Sequence, residues 1–191
     1  MVQTPSTMLA LGTVMPAFVL PDAISGRALR SSDLEGRRGT LVMFLCNHCP
    51  FVKHVLPELK RLSDDYGPKG VGIVAINSND IAAHPDDAPE HMKTLAIGEG
   101  WMFPFLMDES QEVARAFQAA CTPDFFLFDR EGALVYRGRL DESRPKTDIA
   151  PTGQDLRAAL IAMLQGRAPD ADQRPSVGCN IKWKPGTVPL G

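Results

Sequence analysis

Between Thr40 and Asn77 the pattern of apolar and polar positions reads as strand, helix and strand. Thr40-Leu41-Val42-Met43-Phe44-Leu45 is an apolar run without a charge, the signature of a strand buried on both faces. From Phe51 to Tyr66 the apolar residues fall at Phe51, Val52, Val55, Leu59 and Leu62, one face of a helix, and Gly67-Pro68 stops it. Pro50 suits the first turn of that helix. Val71 to Asn77 is a second buried strand. Upstream, residues 1–15 read as a loose lead-in. Phe18-Val19-Leu20 and Ala28-Leu29-Arg30 flank a turn at Ser25-Gly26 and predict a hairpin, and 31–36 is a turn or a single helical turn.

Downstream, Ser78 to Ala88 is a polar, proline-bearing loop, followed by a helix from Pro89 to about Ile97 and a strand from Phe103 to Met107. Ser110 is placed to cap a helix from Gln111 to Ala120. Asp124 to Phe128, the turn Asp129-Arg130-Glu131-Gly132 and Ala133 to Arg139 predict an antiparallel hairpin. The last helix starts near Thr152 and sets Leu156, Leu160, Ile161 and Leu164 on one face. Residues 167–191 form a Pro- and Gly-rich tail holding Cys179 and Trp183. This order predicts an α/β fold, a mixed central sheet with helices on both faces.

A chain of 191 residues predicts one domain over 1–191, divided into an N-terminal extension with a hairpin (1–39), a core (40–166) and a tail (167–191). A net charge of −3 leaves no basic footprint for nucleic acid, and no apolar run is long enough to span a membrane, so neither partner is expected. The apolar stretch from Met8 to Leu20 has no Lys or Arg before it, the first being Arg27, so a secretory leader is not expected and a cytoplasmic location is.

The chemistry lies between the first strand and its helix, in Cys46-Asn47-His48-Cys49-Pro50. Thiols at a helix N-terminus face the positive end of its macrodipole, which favours thiolate, and two cysteines at this spacing can close a small disulfide. Cys46 is the candidate nucleophile at the helix mouth; Cys49, one turn inside, is the candidate resolving thiol. Two structural cysteines, or half of a zinc site, are the other readings of the pair. Four cysteines are too few for a disulfide framework, although two structural bridges remain open. The scattered methionines read as core, Arg37-Arg38 as solvated charge, and Asp64-Asp65 and Asp86-Asp87 as too isolated for paired-carboxylate catalysis.

Cys46-x-x-Cys49, Pro57 within the following helix, Thr122-Pro123 before an apolar strand, and the opening segment from Leu11 to Asp22 together resemble the thioredoxin-like superfamily. The resemblance is to its redoxin branch, which includes peroxiredoxins and membrane-tethered thiol-disulfide oxidoreductases, and it runs from about Gly12 to Gln165. It implies a thioredoxin-like fold and a thiol-disulfide oxidoreductase acting on a protein or small-molecule disulfide or thiol, with no organic cofactor and with an unidentified recycling reductant. It implies that Pro123 is the superfamily's cis-proline, leaving the Thr122 backbone free to pair with an extended substrate. It also implies that His48, just before the second cysteine, stabilises the thiolate and raises the potential above the roughly −270 mV of thioredoxin.

Several positions depart from the pattern. Leu45 stands where Trp is usual, and Thr40 where a buried acid is usual, with Asp124 and Lys53 as weak substitutes. Met43 stands where peroxiredoxins carry Thr, which counts against the alternative of a thiol peroxidase. A further alternative is a copper or zinc carrier using Cys46, Cys49 and one of His48, His54 or His84, against which the two-residue spacing counts. Cys121 is a possible exchange partner of Cys46. Cys179 is either a distal resolving thiol, a covalent dock for the tail, or a surface thiol.

Overall fold

The computed structural model describes residues 3–187; the first two residues of the expected lead-in and the last four of the expected tail lie outside them. In chain order the elements are β1 (Gln3–Pro5), β2 (Val19–Pro21), β3 (Ala28–Arg30), α1 (Ser31–Leu34), β4 (Gly39–Phe44), α2 (Pro50–Tyr66), β5 (Val71–Asn77), α3 (Pro89–Gly98), β6 (Phe105–Met107), α4 (Glu112–Ala116), β7 (Cys121–Thr122), β8 (Asp124–Phe128), β9 (Leu134–Gly138), α5 (Gln154–Leu164) and β10 (Val177–Asn180). A 3-10 turn at Pro85–Asp87 interrupts the loop between β5 and α3.

The central sheet has the order β6-β5-β4-β8-β9. β4 runs parallel to β5 and antiparallel to β8, so it is the strand at which direction reverses. Every residue of β4 and β8 is buried, as a strand covered on both faces requires. On one face Leu41, Met43, Ala75 and Phe125 pack against α2, α3 and α5. On the other, Val42, Phe44, Ile76 and Phe126 pack against α4 and the N-terminal segment carrying Leu9, Phe18 and Leu20. Phe117, just past α4, meets Phe44, Phe126 and Phe128 edge-on at 5.4, 5.5 and 5.8 Å between centroids.

The expected N-terminal hairpin is β2–β3, paired Val19 with Arg30 through Pro21 with Ala28. The helix expected over 111–120 is shorter, because Gln111 is left-handed (φ 63°) and its side chain ties distant backbone together. Its amide donates to the carbonyls of Ser78 and Lys182, and its oxygen accepts from Lys184 N–H and the Thr187 hydroxyl. Ser110 still accepts the Glu112 N–H, but Asp108 receives those of Val113 and Ala114 and does most of the capping. On α5 Leu156 and Leu160 are buried as expected, but Ile161 is exposed and Ala159 takes its place on the inner face.

The largest departure concerns the two ends. Among the described residues the lead-in is not loose and the tail contributes a strand: β1, β10 and β7 form a second sheet in that order, all antiparallel. β10 aligns Cys179 with Thr122 and Asn180 with Cys121. Gly178 permits the approach, since a Cβ there would lie 2.0 Å from the Thr122 carbonyl oxygen. Among the described residues no helix is long and apolar enough to cross a membrane.

Candidate active site

β4 delivers the chain to the point where sheet direction reverses, the place where α/β sheets open a crevice beyond their strand ends. Leu45 makes the last sheet bond, its N–H donating to Ile76 at 2.9 Å, and Cys46 to Cys49 then leave the sheet. The helix begins later than the sequence suggested for Cys46: Cys49 is the N-cap of α2 and Pro50 its first residue. The helix mouth therefore belongs to Cys49, and Cys46 lies three residues ahead of it. Both thiols are fully buried, so Cys49 is no more enclosed than Cys46.

The two sulfurs share a hydrogen bond, and their surroundings decide which one carries charge. The Cys49 thiol is held down to about 5, first by the hydrogen bond from Cys46, then by those from the Cys179 thiol and the Val52 and Cys179 N–H groups, which outweigh burial. Cys46 is pushed well above the usual thiol range by that same bond to Cys49, by burial and by the charge of Asp87, against a hydrogen bond from Thr122 that favours its thiolate. The surroundings of the reduced pair thus favour negative charge on Cys49 over Cys46. When Cys49 is protonated it donates instead to the Thr122 carbonyl, 3.2 Å away.

His48 is turned away from the role of a bare cation beside sulfur. Its Nδ1 lies 2.6 Å from Oδ2 of Asp87, a carboxylate that is wholly buried. Asp87 also accepts the N–H groups of Asn47 and His48 through Oδ1 at 2.8 and 3.3 Å, and the Asn79 amide through Oδ2 at 2.7 Å. Asn77 donates to the Asp87 carbonyl, which fixes the loop to the end of β5. His84 stacks on His48 at 5.4 Å and an interplanar angle of 12°. A carboxylate bonded to His48 offsets the positive charge expected to act on Cys46.

On the opposite side stands Thr122-Pro123, joined by a cis peptide bond. Thr122 touches both thiols, its Oγ1 at 3.2 Å from Cys46 Sγ and its carbonyl at 3.2 Å from Cys49 Sγ. The Thr122 backbone expected to receive substrate already faces β10. Cys179 on that strand brings its Sγ to 2.7 Å from Cys49 Sγ. Cys121 points elsewhere, to the Pro123 carbonyl at 3.7 Å, and burial pushes its thiol well up. The structure therefore brings Cys46, Cys49, His48, Thr122, Pro123 and Cys179 together, while the Cys121 thiol turns to the Pro123 carbonyl.

Asp124 is fully enclosed, and burial raises it to about 7. The group it works on is Cys121. His54 bonds Ser143 at 3.0 Å and lines a crevice beside Pro123 with Phe51, Leu140, Arg144 and Val177. Among the described residues the metal set of the carrier alternative, Cys46, Cys49 and a histidine, does not assemble; instead Cys46, His48 and Asp87 bring ligand atoms within 4.8 Å of one another. Two of those three are already engaged with each other, which disfavours a cation there.

Sequence reasoning missed Asp87 and Asn79. The one signal was Asn77-Ser78-Asn79 directly after a buried strand, side chains suited to fixing a loop. Asp86-Asp87 read as too isolated for paired-carboxylate catalysis, and only the fold shows that the second is buried against His48.

The Redoxin family profile matches residues 10–156. Thiol-disulfide oxidoreductase ResA of Geobacillus thermodenitrificans is 29% identical over 131 residues, covering 69% of this chain and 70% of that protein. Among solved structures, an uncharacterized conserved protein from Geobacillus kaustophilus is 53% identical with a TM-score of 0.96, over 98% of this chain and 99% of that one. A hypothetical protein from Sinorhizobium meliloti 1021 is 45% identical with a TM-score of 0.93, over 96% and 100%.

Proposed function

The chain belongs to the redoxin family, and from that premise we propose that Cys46 and Cys49 are the working dithiol of a thiol-disulfide oxidoreductase. The observation that carries the reading is the geometry of the pair: two buried thiols at the end of β4, both in contact with Thr122 of the cis Thr122-Pro123 corner. The relatives named thiol-disulfide oxidoreductase support the reaction class.

The roles follow from that geometry. Cys46 attacks one sulfur of a substrate disulfide while the Cys49 thiolate takes its proton, acting as general base across the existing hydrogen bond. A Cys46–substrate disulfide forms, the substrate's S–S bond breaks, and the leaving thiolate receives the proton from Cys49. Cys49, again ionised, attacks Cys46 Sγ, forming the Cys46–Cys49 disulfide and releasing the second substrate sulfur as a thiolate, which takes a proton from water. The substrate gains two electrons, and an external dithiol or a pair of thiols must return them to the pair. Thr122 Oγ1 donates to Cys46 as its charge develops. Beside Pro123 a crevice lined by Phe51, His54 and Val177 opens to the surface.

Replacing Cys49 by Ser tests the roles. With a disulfide-bonded peptide as substrate, Cys49→Ser should accumulate a mixed disulfide through Cys46 that dithiothreitol releases. If the adduct builds up in Cys46→Ser instead, the roles are reversed; if neither variant forms one, the reading fails. A thiol peroxidase is the second reading. The Thr122 hydroxyl beside Cys46 favours it, and the apolar, fully buried Met43 counts against it. Peroxide consumption by wild type that vanishes in Cys46→Ser would support it.

A further inference from the structure

We propose that Cys179 is a third exchange thiol, which takes over the disulfide from Cys46 so that the oxidised enzyme alternates between Cys46–Cys49 and Cys49–Cys179. The proposal rests on the dithiol reading above and extends it.

The geometry is specific to Cys49. Its Sγ is in hydrogen-bond contact with Cys46 on one side and lies 2.7 Å from Cys179 Sγ on the other, against about 2.05 Å for a formed S–S bond. Cys49 is thus the central sulfur of three. Cys179 reaches it from a distant part of the chain, carried by a strand held on both edges by β1 and β7. The strand is built for the approach. Gly178 lets it lie against the Thr122 carbonyl, where any side chain would collide at 2.0 Å. Beyond it, Ile181 N–H bonds Ala120 O, and Lys182 N–H bonds the same Asn79 side chain that donates to Asp87. The segment that aims Cys179 at Cys49 is tied at its far end to the loop that holds His48.

The step balances without an added oxidant. In the Cys46–Cys49 disulfide, Cys179 loses its proton and attacks Cys49 Sγ; the Cys49–Cys179 bond forms and the Cys46–Cys49 bond breaks. Cys46 leaves as thiolate and takes the proton. No electrons enter or leave, since the two were already supplied by the dithiol when it reduced the substrate. The product holds the C-terminal strand covalently at the start of α2 and returns Cys46 to the thiol state with the protein still oxidised. Cys46 can then capture a second partner.

The test uses the Cys46→Ser protein, native and full length, equilibrated with oxidised and reduced glutathione, quenched in acid, alkylated and mapped by mass spectrometry. The wild type is treated in parallel. The proposal expects Cys46→Ser to lose alkylation at Cys49 and Cys179 together and to yield a linked peptide pair that dithiothreitol separates. It expects the partly oxidised wild type to contain both linkages, and Cys179→Ser to contain Cys46–Cys49 alone. Full alkylation of Cys49 and Cys179 in Cys46→Ser, at a poise that oxidises the wild-type pair, would overturn it; so would pairing of Cys179 with Cys121 or with glutathione only. Should Cys46→Ser fail to fold, presence of the Cys49–Cys179 peptide in wild type supports the proposal and its absence overturns it. Failure of the dithiol reading looks different: no Cys46–Cys49 linkage in wild type or in Cys179→Ser, whatever Cys179 does.

Discussion

Cys46 and Cys49 are three residues apart and equally buried, yet they face unlike regions of the molecule. Cys46 has the loop after β5 on its side, where Asp87, braced by Asn79 and the local backbone, binds His48 and opposes a charge on sulfur. Cys49 has the start of α2 and β10 on its side, where N–H groups and a thiol donate to sulfur and favour a charge. The lesson is that identical thiols in one short motif are made different by segments far away in sequence. The motif supplies two sulfurs; the loop and the C-terminal strand decide which of them is base and which is attacking acid.

The comparison can be broken most severely by removing the thiol on the Asp87 side. Cys46→Ser should abolish disulfide reduction in a turnover assay with a peptide disulfide. In Cys46→Ala, which leaves no hydroxyl or thiol to donate and so removes the first of the groups holding Cys49 down, the Cys49 thiol should titrate clearly above 5, read from thiolate ultraviolet absorbance against pH. Retained turnover would remove the distinction between the two thiols.

A smaller effect, in stability, comes from the strand side. Asp124 is raised to about 7 by burial, above an unfolded value of roughly 3.9. Its contribution is therefore intact below about pH 4 and is lost as pH climbs toward 7, by an amount of order a few kcal/mol. Chemical denaturation across that range should show Asp124→Asn gaining on wild type as pH rises; a constant difference would place the carboxyl in better company than burial implies.

Gly178→Ala probes the same side mechanically. Its Cβ has no room beside the Thr122 carbonyl, so β10 must shift, at a cost of about 1–3 kcal/mol in denaturant unfolding. The Cys49 thiol should rise as Cys179 withdraws. Asp87→Asn sharpens the comparison from the other side. It removes the charge that opposes a Cys46 thiolate while keeping an amide of the same shape, and should make the pair more oxidising by roughly 30 mV, tenfold in equilibrium constant. An unchanged potential would assign Asp87 to loop structure alone.

What was legible in the sequence follows the same division. β4, α2 and β5 each announce themselves through local periodicity, and the pair Cys46 and Cys49 sits at their junction. The Thr122-Pro123 corner came from resemblance. The departures all depend on non-local partners. β7 has two residues and β10 four, one a glycine, so neither has a pattern to read, and only their register shows that Cys179 faces Thr122. Asp87 looks like any loop acid until Asn77, Asn79 and the Cys46–His48 segment close over it. Gln111 reads as a helix residue, but its side chain holds Ser78, Lys182 and Lys184 together, and the helix gives way.

The most direct test of the central claim is a glutathione redox titration of the wild type, with acid quench, alkylation and peptide mapping. The account predicts a two-electron transition between roughly −120 and −270 mV that consumes Cys49 together with Cys46, or with Cys179 in the fraction where the disulfide has moved on, and leaves Cys121 reduced throughout. If Cys46 and Cys49 stay reduced across that range, the pair is not a redox couple and the claim is contradicted.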